Sequence, residues 1–146
     1  MLTETVIACP RAEVAAYAGD PDKAPEWYVN IVSVRWRTEP PLVVGSQVDF
    51  VANFLGRALT YTYEVLEYSS DKMVMRTAQG PFPMETTYTW ESVDATHTRM
   101  TLRNRGEPAG FARVAAPVMA AAMRRANTKD LARLKQLLEA GRIQAD

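Results

Sequence analysis

The feature that most restricts the fold is a long helical stretch at the end of the chain, from about Pro108 to Ala140. Val114, Val118, Met119, Ala122, Met123, Leu131, Leu134 and Leu138 recur at the three- and four-residue steps of one helix face. Beyond Pro117 alone the stretch is about 24 residues, or roughly 36 Å. Pro117 either kinks this helix or marks its start. A stripe of this length needs a broad apolar surface to lie on, and only the preceding segments can supply one.

Those segments read mainly as strands. Leu2 to Ala8 is short and β-rich, Pro10 opens a short helix over Ala12 to Ala18, and Asp20-Pro21 starts a second short helix. From Ile31 to about Arg105 the apolar period becomes two. Val32, Val34 and Trp36 form one face; Val48, Phe50, Ala52 and Phe54 the next; then Leu59, Tyr61, Tyr63 and Val65. A strand over Met73 to Ala78 follows, then Met84, Thr86, Tyr88 and Trp90, and finally Thr98, Met100, Leu102 and Asn104. Turns fall at Pro40-Pro41 with Gly45, at Gly56, at Ser69-Ser70-Asp71 and at Asp94-Ala95-Thr96. Regular alternation means one buried and one solvated face, as in antiparallel hairpins. The expectation is an α+β chain in which seven antiparallel strands wrap a long C-terminal helix, with two short helices between strands 1 and 2.

Seventeen basic and seventeen acidic residues cancel, so no general attraction to nucleic acid or anionic membrane is expected. The 47% hydrophobic and 23% charged content is that of a globular protein, and 146 residues are read as one domain. With Cys9 alone no intrachain disulfide can form, and Met1 to Ala8 lacks the pattern of a secretory signal. No apolar window is long enough to span a bilayer. The expected location is the cytoplasm.

The predicted inner face combines Trp36, Phe50, Phe54, Tyr61, Tyr63, Met73, Met75, Tyr88, Trp90 and Met100 with the neutral polar residues Thr77, Thr86 and Asn104. Buried tyrosines and asparagines need hydrogen-bond partners, which a cavity holding water or an oxygen-bearing ligand would provide. The helix supports such a cavity. Its first half is small (Ala112, Ala115, Ala116, Ala120, Ala121, Ala122), its second half carries Leu131, Leu134, Leu137 and Leu138, and Asn127 sits within the apolar stripe. The cavity is therefore placed beside residues 111–127, with the leucines closing the far end. The alternative is that aromatic side chains reach across and fill the space above the alanines.

In its order of motifs the whole chain resembles the START-like superfamily, also called Bet v 1-like or SRPBCC, and within it the polyketide cyclase/dehydrase and lipid-transport group. The resemblance rests on Thr5-Val6-Ile7-Ala8-Cys9-Pro10 with Val14, Asp20-Pro21, Pro25-Glu26-Trp27 and Gly45. It continues through Tyr63-Glu64-Val65, Gly80-Pro81-Phe82 and Thr98-Arg99-Met100-Thr101-Leu102, and ends with Arg124-Arg125-Ala126-Asn127 and Leu131-Ala132-Arg133-Leu134-Lys135. It implies a helix-grip fold, in which a curved seven-stranded sheet grips the last helix around a cavity. It does not imply one function, since such folds serve cyclases, dehydratases, lipid carriers, receptors and protein-binding modules.

Conventional catalytic motifs are missing. His97 stands alone beside a turn, Cys9 reads as a small structural residue, and one His with one Cys makes no zinc site without several carboxylates. There is no phosphate-cradling glycine loop, and neither a metal nor another cofactor is expected. Arg35, Arg37, Arg99, Arg103 and Arg105 fall on the outer sheet face with Glu85 and Glu91. Phe82 and Phe111, on loops, either form the mouth of the cavity or pack locally.

Three readings follow. The first is a binding domain for a small hydrophobic, largely uncharged molecule (a lipid, polyketide or aromatic metabolite). Its candidate ligand-binding residues are Trp36, Phe50, Phe54, Tyr61, Tyr63, Met75, Phe82, Tyr88, Asn104, Phe111, Met119, Met123 and Asn127. The second is a polyketide cyclase or dehydratase, with Tyr61 and Tyr63 as the catalytic candidates and Glu26 and Glu107 at the mouth. The third is a protein-interaction module using the basic helix flank of Arg124, Arg125, Lys129 and Arg133 together with the outer sheet face.

Overall fold

The computed structural model describes residues 2–54, 56–79, 83–106 and 112–145, the side chains of 54, 106, 112–120 and 142–145 excepted. Strand β1 (Leu2–Ile7) leads into helix α1 (Arg11–Ala18), a 3-10 turn (Pro21–Lys23) and the short helix α2 (Ala24–Trp27). Six strands follow: β2 (Ile31–Trp36), β3 (Gln47–Phe54), β4 (Arg57–Tyr68), β5 (Lys72–Gln79), β6 (Met84–Asp94) and β7 (His97–Gly106). Helix α3 (Ala112–Ala145) ends the chain, so Pro117 lies inside it and does not mark its start.

The seven strands form one antiparallel sheet in the order β1-β7-β6-β5-β4-β3-β2. β2 to β7 make a simple meander, while α1 and α2 carry the chain from one edge of the sheet to the other. The sheet curls into a half-barrel closed by α3, as the helix-grip reading expects. The turn glycines have a backbone reason: Gly45 and Gly56 have φ of 94° and 78°, in the left-handed region that disfavours a Cβ.

The core lies between the inner sheet face, α1, α2 and the second half of α3. Ile7, Val14, Trp27, Met100 and Leu134 are fully buried there, with Leu102 and Leu131 beside them. This end of α3 is also fastened by polar contacts to the end of β1. Lys135 Nζ donates to Val6 O (2.8 Å), the Ala8 N–H to Glu139 Oε2 (2.9 Å), and Cys9 Sγ to Leu138 O (3.5 Å). Cys9 is buried, as its structural reading expects.

The pairing shifts register within β2–β3, β4–β5 and β6–β7, and the shift in β2 bears on the site. β2 pairs Ile31 with Ala52 but Ser33 with Val51, a bulge at Val32. The extra residue shifts the side-chain phase, so Ile31 turns inward and Val32 is 52% exposed. The sequence pattern places Val32 inside with Val34; the bulge reverses that.

The outer face is charged and locally balanced. Arg37 Nε and Thr62 Oγ1 both donate to Asp49 Oδ1 (2.8 and 2.6 Å), and Arg99 lies 3.7 Å from Glu91. His97 accompanies Asp94 and Thr96 in the β6–β7 turn, in solvent.

Candidate functional site

A cavity of about 150 Å³, partly open to solvent, lies between the inner face and α3. Sheet alternation brings Phe50 and Ala52 of β3, Tyr61 and Tyr63 of β4, and Met75 of β5 to its wall. Met84, Thr86 and Tyr88 of β6 and Asn104 of β7 continue that wall. Helical spacing brings Met123, Ala126, Asn127 and Asp130 to the opposite side, and the segment after α2 adds Tyr28, Asn30 and Ile31.

Eight of the residues singled out from sequence meet here: Phe50, Tyr61, Tyr63, Met75, Tyr88, Asn104, Met123 and Asn127. Trp36 does not. It sits near the end of β2, where the 3-10 turn covers it, and its indole N–H donates to Asp22 Oδ1 (2.8 Å). Phe82, Phe111 and Glu107 lie outside the described residues, as do the side chains of Phe54 and Met119. Glu26 is not among the residues that line the cavity. It accepts from Tyr17 Oη at 2.8 Å and lies 3.6 Å from Lys23 Nζ.

The polar groups are largely engaged with one another. The hydroxyls of Tyr28 and Tyr88 hydrogen-bond together, Tyr63 Oη donates to Met84 Sδ (3.3 Å), and Thr86 Oγ1 donates to Asn104 Oδ1 (3.0 Å). The Phe50 ring meets Tyr63 edge-on at 5.6 Å, which sets the tilt of that phenol. Burial raises the Tyr63 hydroxyl to about 12 and moves Tyr28, Tyr61 and Tyr88 upward too, so all four remain neutral phenols.

Asp130 is the group that sequence reasoning missed. It follows Met123, Ala126 and Asn127 by seven, four and three residues, so it shares their helix face, yet a carboxylate is not expected on an apolar wall. It is only 3% exposed. Its Oδ1 accepts the Val29 N–H at 2.9 Å, a hydrogen bond that ties α3 to the segment leading into β2. Desolvation lifts its pKa from 3.8 to about 6, with the Val29 N–H pulling the other way. Tyr28, Asn30 and Ile31 were missed for a different reason: a short irregular segment and the Val32 bulge carry them, and neither has a period to read.

No group of three or more potential metal ligands occurs among the described residues. No helix among them is long and apolar enough to cross a membrane.

The model of a protein family described as polyketide cyclase / dehydrase and lipid transport matches residues 2–139. Among solved structures, the fold is similar to Zhui aromatase/cyclase from Streptomyces sp. R1128, at 17% identity and TM-score 0.80 over 95% of this chain and 92% of that one. A START superfamily protein from Mycobacterium smegmatis is similar at 16% identity and TM-score 0.77, over 94% and 97% of the two chains. The di-domain ARO/CYC BexL from the BE-7585A biosynthetic pathway is similar at 17% identity and TM-score 0.76, over 95% of this chain but 46% of that one. At these identities the likeness is one of fold. No curated protein matches the sequence significantly.

Proposed function

The chain belongs to the polyketide cyclase / dehydrase and lipid transport family, in the START/SRPBCC superfamily, and from that premise we propose that it binds a small hydrophobic molecule, without carboxylate or phosphate, between sheet and α3. The observation that carries this reading is the wall itself. Apolar and aromatic side chains predominate, the polar groups are neutral hydroxyls and amides, and no Lys, Arg or His lines the cavity among the described residues. An anionic ligand would find no cation there and would face Asp130. A dry cavity of about 150 Å³ can hold a benzene-sized molecule, so a single substituted ring suits the enclosed part.

Native mass spectrometry of the purified chain, with the bound molecule extracted and identified, tests the proposal. An aromatic or lipid-like molecule without carboxylate or phosphate is the expected finding. Met123→Trp fills the cavity and should remove that molecule while leaving the fold intact. A phosphate- or carboxylate-bearing molecule lost in the same variant overturns the reading.

A second reading is cyclisation or dehydration of a poly-β-ketone. The observation favouring it is that Asp130, whose proton moves near neutral pH, shares the cavity with neutral phenols that can donate to a carbonyl. Tyr61 and Tyr63 are the proposed donors. Turnover lost in both Tyr61→Phe and Tyr63→Phe supports it, and unchanged rates in both reject their assignment.

A further inference from the structure

Asp130 is over-provided as a structural residue. One carboxyl oxygen suffices to accept the Val29 N–H. Asp130 is nevertheless only 3% exposed and is the one charged side chain that lines the cavity among the described residues. The titratable groups facing it are the hydroxyls of Tyr28 and Tyr88, with Tyr63 beyond them, all held neutral by burial. Val29 contributes a backbone N–H and Asn127 an amide on the same helix. A carboxylate on an apolar wall without a cation is poorly compensated, and no Lys, Arg or His lines this cavity among the described residues.

We infer that the counter-charge is carried by the ligand: the cavity selects a hydrophobic molecule bearing a basic nitrogen, whose ammonium group donates to the Asp130 carboxylate. This rests on the binding reading above and narrows it, since the one charge the wall accepts is positive. It makes Asp130 a specificity-determining residue. The amine lies at the α3 side and its ring lies against Phe50, Tyr63 and Met75. With the Asp130 pKa near 6, the carboxylate is mostly ionised at pH 8 and mostly protonated at pH 5.

The test compares three ligands of one shape, 2-phenylethylamine, 2-phenylethanol and phenylacetate, titrated into the full chain by ligand-observed NMR at pH 8 and pH 5. At pH 8 the amine should bind about tenfold or more tightly than the alcohol, the advantage of a charge-assisted hydrogen bond, and phenylacetate should bind weakest. At pH 5 the advantage of the amine should vanish. In Asp130→Asn, which keeps an acceptor for the Val29 N–H, it should vanish at both pH values. Equal binding of amine and alcohol at pH 8 overturns the inference while leaving the cavity reading in place. So does an advantage that persists at pH 5 or in the variant. Failure of all three ligands to bind the unmodified chain overturns both. The pH comparison uses the unmodified chain, so the result does not depend on how well the variant folds.

Discussion

Two aspartates show how position decides what a carboxyl does. Asp130 is nearly dry, and its pKa is raised from 3.8 to about 6. Between those values the folded chain holds a proton that the unfolded chain has lost, so the contribution of Asp130 to stability is greatest below about pH 4 and is lost as pH rises through about 6. Asp130→Asn should therefore be more stable than the parent at pH 8, by on the order of 1–3 kcal/mol, with the difference shrinking toward zero at pH 4. Urea denaturation at the two pH values measures this. Asp49 behaves oppositely. Burial works against its charge, but hydrogen bonds from Thr62 and Arg37 outweigh it and hold the carboxyl below its ordinary range. Its contribution is present above the unfolded value of 3.8 and is lost as pH falls through the lower folded value. Asp49→Ala leaves the Thr62 hydroxyl buried without its acceptor and should cost about 1–3 kcal/mol at pH 7, most of it recovered in a Thr62→Val background.

At the scale of elements, β2 and α3 show where periodicity succeeds and where it fails. The alternation of β3, β4, β6 and β7 is legible because the β3–β4 and β6–β7 ladders run without a break over the residues that matter, although β4 and β5 shift register at Thr62/Tyr63 and Val65/Glu67. Phe50, Tyr61, Tyr63, Tyr88 and Asn104 reach the cavity in the phase their spacing predicts. The bulge in β2 adds one residue and reverses the phase before it. Hence Val32→Thr should change stability by less than about 0.5 kcal/mol, while Ile31→Thr should cost more and weaken ligand binding. A strand without the bulge predicts the reverse order, and thermal denaturation of the two variants decides. In α3 the leucine-rich half does what its composition suggests: Leu134 is fully buried against the sheet and α2. Leu134→Ala should lose about 2–5 kcal/mol, measured by the same method. Leu138, only partly buried at the edge of that core, should lose less.

Across the whole molecule, α3 serves two purposes from one stripe. Its far half seals the core and is bound to β1 through Lys135, Cys9 and Glu139, while Met123, Ala126, Asn127 and Asp130 form a wall of the cavity. Because the leucine end carries the stability, the cavity end can be altered separately. A saturating ligand at about 100 times its Kd should raise stability by about 2.7 kcal/mol, and Met123→Trp should abolish that increment without lowering the melting temperature of the unliganded chain. The amino-acid sequence by itself determined the strand count, the sheet's inner face, the terminal helix and the leucine-filled end, because each follows from a local period of two or 3.6 residues. The position of Asp130 was also implicit in its helix spacing. That it would be almost wholly buried at the cavity wall, with one oxygen bonded to Val29, was decided by tertiary structure. So were the bulge that turns Ile31 inward, the diversion of Trp36 to Asp22 and the pairing of Tyr28 with Tyr88. The physical reason is the same in each case: these are contacts between residues distant in sequence, and no local pattern encodes which of them will meet or how much water they keep.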